Sequence, residues 1–380
     1  MKFEARRGGI FVDGERFHVK GISYFGMESD ILVPHGLWGG PSSTTLDRVA
    51  QQLCDNGFNL VRLPLAVDAV LRNTTVDSHK IGNEAILMER FMHKELRYLD
   101  VLDHAVATFA RHSLLVLLDM HVLNAGGPIT PLWYEGEKEE NQDDLKLAWQ
   151  SLASRYAQAW NVIGADVKNE PHGEATWGTN TPAHDWRLCA EAVGTVILET
   201  CPRWLIFVEG IQESMDTYGS SPSPASFWGG NLSAARDAPV RLPVPHRLVL
   251  SPHVYGPSVA HQDYFVDPAF PSNLPSIWNA HFGFLLDDNR NDAPVVVGEW
   301  GGSCADHHDK LWHEAFTSYL AARQIDSIYW CVNPNSHDTR GILEDDWNTL
   351  CRGKTARPGI AAKQQGHAQL DAEASRKNSS

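Results

Sequence analysis

Positive charge is scarce in these 380 residues: 32 lysines and arginines stand against 47 aspartates and glutamates, a formal net charge of −15. Nucleic acid and anionic membrane surfaces attract basic patches, so neither is an expected partner. No apolar run approaches the ~20 residues of a membrane-spanning helix. The opening MKFEARRGGIFVDG lacks the apolar core of a secretory signal, so the chain as given shows no export signal. Paired-cysteine spacing is missing as well. Cys54, Cys189, Cys201, Cys304, Cys331 and Cys351 are scattered without CxxC, which leaves zinc ribbons and thioredoxin-type pairs unsupported and makes free thiols the expectation. Nor is there HxH or HExxH spacing to support a metallohydrolase. His307, His308 and Asp309 precede a helical pattern, where capping or solvation is expected of them. Neither an internal repeat nor a Pro/Ser/Thr-rich linker marks a second module.

What is present is a recurring unit. Eight apolar, β-branched segments run along the chain: 18–25, 58–65, 114–121, 162–171, 205–210, 247–256, 294–301 and 327–334. Their near-continuous hydrophobicity suits strands covered on both faces. Helical patterns fall between most of them. Leu46, Val49, Ala50 and Leu53 recur at i, i+3, i+4, i+7, with Ser or Thr ahead as a cap and Gly57 behind at the left-handed position. Leu145, Ala148, Trp149 and Leu152 repeat the pattern, and three further helices are read in LDVLDHAVATFA, HDWRLCAEAVGTVI and DKLWHEAFTSYL. Strands alternating with helices imply parallel pairing through right-handed crossovers, and eight such units predict a single (β/α)8 TIM barrel over residues 1–352. Ahead of it, GIFVDGERFHV predicts a small N-terminal hairpin turning at Asp13-Gly14 and closing the bottom of the barrel. Residues 353–380 are polar and aromatic-free, the composition of a disordered tail.

Barrel active sites sit at the C-terminal ends of the strands. Reading that rim alone gives Arg62, His121, Asn169, Glu170, His253, Tyr255, Glu299 and Trp330. Each has an ordinary explanation, such as a solvated arginine or a hydrogen-bonded histidine, but their convergence on one face does not. Two carboxylates on one rim fit glycoside hydrolysis, in which one protonates the leaving oxygen and the other acts at the anomeric carbon. Arg62 is the natural counter-charge for one glutamate, Asn169 can donate to a sugar hydroxyl, and Trp330 offers a flat platform for a pyranose. For Glu170 to serve as the acid, its pKa is expected to be raised by the charge of Glu299. Trp149, Trp186, Trp278 and Trp312 lie on helical segments and are read as core. Trp38, Trp133, Trp177 and Trp228 follow strands in loops, where sugar stacking and packing are both open. Glu28 could bind a distal sugar hydroxyl or simply be solvated.

The ordered series HGLW (35–38), GFNLVRLPL, VIGADVKNEPH, ATWG (175–178), LIFVEGI, FWGGNL (227–232), FPSNLPSIWN, VVVGEWGG and NPNSHDTRGILEDDW resembles glycoside hydrolase family 5, specifically its cellulase-type endo-β-1,4-glucanases. The resemblance implies that Glu170 is the proton donor and Glu299 the nucleophile of a retaining reaction. It also implies that Arg62, His121, Asn169, His253, Tyr255 and Trp330 line the subsite of the cleaved bond. A β-glucan substrate, no metal or organic cofactor, a monomer and an extracellular place of work are expected. Two departures bear on specificity: the loop after His121, and Val332 where relatives often carry a second tryptophan. An endo-β-mannanase or another β-glycosidase of the family is the alternative. A catalytically inactive carbohydrate-binding barrel and a divalent-metal hydrolase are the readings from other classes.

Overall fold

The computed structural model describes residues 1–92, 94–135, 143–212, 225–357 and 359–360. Its chain opens with β1 (Phe3–Arg6), β2 (Gly9–Val12) and β3 (Glu15–Phe17), an antiparallel sheet in the order β1-β2-β3. The predicted hairpin is β2–β3, with Asp13 and Gly14 both at positive φ. A strand ahead of it, β1, escaped the sequence reading because FEAR carries only two apolar-facing residues before the turn at Arg7-Gly8.

The main sheet holds β4 (Lys20–Ser23), β5 (Leu60–Ala66), β6 (Leu115–Val122), β7 (Val162–Asp166), β8 (Leu205–Val208), β9 (Leu248–Leu250), β10 (His253–Tyr255), β11 (Val296–Gly301) and β12 (Asp326–Tyr329). The pairings are parallel throughout, in the order β10-β11-β12-β4-β5-β6-β7-β8-β9. Nine strands nevertheless make eight units. β9 and β10 are one segment interrupted at Ser251-Pro252, β9 pairing backward with β8 and β10 forward with β11. Proline has no N–H to give the ladder, yet its carbonyl still accepts Gly298 N–H at 3.0 Å, while Leu250 N–H reaches Pro294 O at 2.9 Å. The sheet thereby closes into the expected (β/α)8 barrel.

The helices are α1 (Leu46–Asp55), α2 (Val67–Arg72), α3 (Ala85–Arg90), α4 (Tyr98–Arg111), α5 (Asp144–Arg155), α6 (Trp186–Thr200), α7 (Leu274–His281), α8 (His307–Arg323) and α9 (Arg352–Thr355). α1 shows how local sequence sets them. The Thr45 hydroxyl accepts Arg48 N–H at its start, Leu46, Val49, Ala50 and Leu53 are buried, and Gly57 follows at φ +71°. Trp149, Trp186, Trp278 and Trp312 are all buried, as read. The unit between β8 and β9 departs from the pattern: among its described residues it has only a 3-10 turn at Ser233–Arg236.

Two apolar layers result. Outside the barrel wall, one large cluster packs the helices onto the strands. Inside its lower half, Leu60, Leu115, Leu117, Ile163, Leu205, Phe207, Val249, Val296 and Ile328 meet Phe3, Ala5, Ile10 and Val12 of the N-terminal sheet. That sheet is the floor of the barrel. At the other end of the chain, Lys354 is buried with Nζ donating to the carbonyls of Thr339 and Gly341. Ile360 is buried too, and its carbonyl accepts from Lys20 Nζ at 2.9 Å. Packed structure therefore continues past residue 352; the remainder of the tail, 361–380, lies outside the described residues.

Six cysteines are free; Cys189 is buried, whereas Cys54 is only half-buried. At the start of α8, His307 is exposed as expected, but Asp309 is not. Asp306 is the cap of α8, and Asp309 is fully buried, accepting the N–H groups of Cys304 at 2.6 Å and Ser258 at 3.2 Å. It anchors two loops rather than capping a helix or facing solvent.

Candidate active site

Above the apolar floor the barrel interior turns polar. On β6, apolar Leu117, Asp119 and His121 follow one another at every second position, and a period of two keeps all three on one face. The run Leu205, Phe207, Glu209 follows the same rule along and beyond β8, as does Val249, Ser251, His253 across the broken sixth strand. The registers His253↔Glu299 and Asp119↔Asp166 align further members of this layer.

Arg62 is its centre, with no exposed surface. Its Nε donates to Asp166 Oδ2 at 2.9 Å, Nη1 to Glu299 Oε1 and Nη2 to Asn169 Oδ1 at 2.9 Å. Nη2 also lies 3.2 Å from Asp119 and 3.5 Å from Glu209. A buried guanidinium needs such a ring, because an unpaired charge in a dry interior is costly. One cation among several carboxylates cannot keep them all ionised. Burial drives Asp119 up to about 6 despite the nearby positive charges of Arg62 and His253, and it raises Glu209 against the same two charges.

Glu299 accepts from Arg62 on one oxygen and from the Tyr255 hydroxyl on the other. His253 Nδ1 lies 3.0 Å from Glu170 Oε1 and 3.5 Å from Glu299 Oε2, bridging the two glutamates. One oxygen of each glutamate and a ring nitrogen of His253 all fall within 4.8 Å of one another. Glu170 itself sits at φ +54°, a conformation that costs a non-glycine residue about 1–2 kcal/mol. Its N–H is held by Glu209 Oε2 at 2.8 Å, and its carbonyl by His172 Nδ1 at 2.8 Å.

His121 Nδ1 pairs with Asp119 at 2.7 Å, and its ring lies parallel to that of Trp330, centroids 5.4 Å apart. Burial lowers the pKa of His121, so a neutral ring is favoured. Asn169 Nδ2 approaches His121 Nε2 at 3.5 Å. All eight rim residues read from the sequence are thus brought together, six of them around a cleft of about 500 Å³ lined also by Gln212, Phe227, Trp228 and Asp338.

The expected rise in the pKa of Glu170 is not what the structure shows. Burial raises it, but the hydrogen bond and charge of His253, then His121 and Arg62, more than offset this and the net direction is down. Sequence reasoning weighed Glu299 against Glu170 and had no way to place an imidazolium between them.

The four loop tryptophans divide. Trp228 is 40% exposed on the cleft wall, stacked on His172 with centroids 3.8 Å apart. Trp38 is half-buried beside His35 and Trp347, connected to Trp330 through His35 and Phe25. Trp133 and Trp177 are instead buried in the core. Trp133 packs on Trp186, and Trp177 donates to Ala238 O at 2.8 Å, so neither offers a face to a sugar. Glu28 is half-buried; its carboxylate accepts Gly26 N–H at 2.8 Å within its own loop.

Several site residues were missed. Glu209 and Asp119 obey the strand-end rule that found the others and were legible in LIFVEGI and LLVLLDMH. Lys168 is buried, drawn down to about 8 by burial, with Nζ tying Asn169 O to Thr130 O. Asp338 lies in the loop after β12, and only the fold brings it beside the two glutamates; enclosure and their charges push it up to about 6. Asp166, Glu209 and His253 are spaced as a cation's ligands could be, but Arg62 already supplies positive charge to that group, donating to Asp166 and approaching Glu209.

A family model described as Cellulase (glycosyl hydrolase family 5) matches residues 12–336. An endoglucanase of Paenibacillus polymyxa is 37% identical over 375 residues, 95% of this chain and 89% of that protein. The major extracellular endoglucanase of Xanthomonas campestris pv. campestris is 39% identical over 346 residues, 90% of this chain and 67% of that one. Its solved catalytic domain superposes with a TM-score of 0.82 at 36% identity, covering 94% and 99% of the two chains. A hyperthermophilic endocellulase from the archaeon Pyrococcus horikoshii gives 0.81 at 34% identity, covering 98% of each; a structure of that endocellulase with cellotetraose gives 0.80 at 34%, also covering 98% of each.

Proposed function

The chain belongs to glycosyl hydrolase family 5 and is a glycoside hydrolase, and from that premise we propose that it is a retaining endo-β-1,4-glucanase acting on cellulose-like or mixed-linkage glucans. The observation that carries the retaining reading is the approach of the two glutamates, with oxygens within 4.8 Å. Inverting enzymes keep their carboxyl groups about 6.5–9.5 Å apart to admit a water, and retaining ones about 5–5.5 Å.

In this reading Glu299 attacks the anomeric carbon. Arg62 and Tyr255 hold both its oxygens, which leaves one orientation for the attack. Glu170 gives its proton to the leaving oxygen and later takes one from water. Since His253 holds Glu170 ionised in the open cleft, a bound sugar must raise its pKa. Exclusion of water does this, because desolvation disfavours the charged form. Once the glycosyl-enzyme forms, the charge on Glu299 is gone and Glu170 loses a proton more readily. Asn169, held by Arg62, presents its amide toward the sugar, and Trp330 presents its ring. Trp228 and Trp38 are the candidate stacking positions farther along the cleft. The same residues would serve a β-mannan, so mannan is the comparison substrate.

The polymer cannot enter a cell, and one relative is named extracellular, which supports an extracellular place of work; a monomer suffices for a site built within one barrel. The test is reducing-sugar release from carboxymethyl-cellulose, mixed-linkage glucan, glucomannan, mannan and xylan, with proton NMR of the first product. The expected result is fastest release from a β-glucan with the β-anomer appearing first. Faster turnover of mannan would overturn the substrate, and an initial α-anomer would overturn Glu299 as a covalent nucleophile.

A further inference from the structure

We propose that Glu209 is a positioning residue which, from beneath the cleft, keeps His253 an imidazolium and thereby sets the proton affinity of Glu170. This rests on the reading of Glu170 as the acid. The chain of contacts is short. Glu209 Oε2 holds the Glu170 N–H at 2.8 Å, and Oε1 lies 3.2 Å from His253 Nε2. The other ring nitrogen, Nδ1, lies 3.0 Å from Glu170 Oε1. One buried carboxylate therefore touches the proposed acid twice, through its backbone and through an imidazole.

At 3.2 Å the Glu209 contact is an ion pair rather than a hydrogen bond, and Nε2 has no hydrogen-bond partner among the described residues. The charged groups around the ring are Glu170 and Asp166 from the β7 segment, Asp119 of β6, Glu299 of β11, Arg62 of β5 and Glu209 after β8. Glu170 and Glu299 face Nδ1. Asp166 Oδ2 is taken by Arg62 Nε at 2.9 Å. Asp166 forms no ion pair with the ring, whose carboxylate neighbours within 4.0 Å among the described residues are Glu170, Glu209 and Glu299. That leaves Glu209 as the partner for the nitrogen turned away from the cleft. Around Glu170 itself stand His253, His121, Arg62, Lys168, Asp119, Glu299 and Asp338. The packing leaves Glu209 little alternative placement: a β-carbon on Gly229 would come within 2.3 Å of its Oε2, and one on Gly298 within 3.2 Å of His253 Nε2. Burial opposes charge on His253, but the surrounding carboxylates, Glu209 first, raise its pKa well above the ordinary value.

Glu209→Gln separates this role from a merely structural one. The amide oxygen can still accept the Glu170 N–H, and the NH2 group then faces Nε2. An NH2 can only donate there, so Nε2 must be bare and the ring neutral. Glu170 loses a neighbouring positive charge, and the alkaline limb of kcat/KM should move up by about one pH unit. Glu209→Asp keeps the charge but shortens the side chain; its kcat should fall while the alkaline limb stays near the wild-type position. A Glu209→Gln enzyme with lower kcat and an unmoved alkaline limb overturns the proposal. A second measurement needs no variant to fold. Nitrogen-15 NMR of the wild-type protein should show both ring nitrogens of His253 protonated at about pH 7.5, where a free imidazole is mostly neutral. A neutral ring there overturns the proposal even if the wild type hydrolyses glucan. Failure of the wild type on every β-glucan would instead fall on the functional reading.

Discussion

The two ends of one barrel interior are built on opposite principles. At the floor, Ile10 and Val12 of the N-terminal sheet meet Leu60, Leu115, Leu205 and Ile328, with no charge among them. A few residues farther along the same strands, Arg62, Asp119, Glu209, His253 and Glu299 are equally buried and nearly all charged or hydrogen-bonded. The floor stabilises by removing apolar area from water. The rim must recover the cost of desolvating its charges through pairing, and it does so incompletely: one oxygen each of Asp119 and Asp166 has no partner among the described residues. Stability is concentrated where no chemistry occurs, so the reactive end can hold groups in states that water would not favour.

The sharpest break in that comparison comes from Glu299→Gln. Activity on carboxymethyl-cellulose should fall by at least about 10³-fold, since a reacting group is lost, while calorimetry still detects cellotetraose binding. Next come matched substitutions at the two ends. Arg62→Met leaves several buried carboxylates without their cation and should cost about 3–5 kcal/mol in urea unfolding, together with most activity. Ile10→Ala should cost about 2–5 kcal/mol through a cavity, yet leave kcat/KM of the folded enzyme unchanged. A catalytic loss in Ile10→Ala would mean that the floor and the rim are not separable.

A smaller effect separates the ends by pH. His253 is raised well above its ordinary value by the carboxylates around it, Glu209 first. The folded state therefore binds more protons than the unfolded chain above about pH 6.5, and stability should fall as pH rises from there, until Lys168, lowered to about 8, begins to oppose the trend. Below about 6.5 the trend is opposed by His313, which burial lowers to about 4; there the unfolded chain binds the extra proton. Thermal unfolding at pH 6.5 and at pH 8.5 should give a lower Tm at the alkaline value, and Glu209→Gln should flatten the difference. The smallest stability change is expected at Trp228→Ala. This exposed platform should shift unfolding by no more than about 0.5 kcal/mol while slowing cleavage of cello-oligosaccharides. Trp177→Ala, in the core, should cost about 3–5 kcal/mol.

Periodicity and strand-end position made much of this protein legible. Continuous apolar runs marked the strands, helical spacing placed Trp149 and Trp186 inside, and the rim rule found Arg62, Glu170, Glu299 and five neighbours. The same rule, applied to every strand, would have reached Glu209 and Asp119. The tryptophans of the loops resisted it. Trp133 and Trp228 both follow strands, but one turns inward onto Trp186 and the other lies open on His172. Loop direction depends on contacts made far away in the chain.

By itself, then, the order of residues determined that eight strands would close, which end of each would be polar, and which two glutamates would share a rim, because a strand's period and polarity are local properties. Only the tertiary structure decided that His253 stands between those glutamates, that Glu209 lies behind it, and that Glu170 is held ionised rather than protonated in the open cleft. A pKa is set by every charge and every missing water within a few ångströms, and residues from five different strands supply them here.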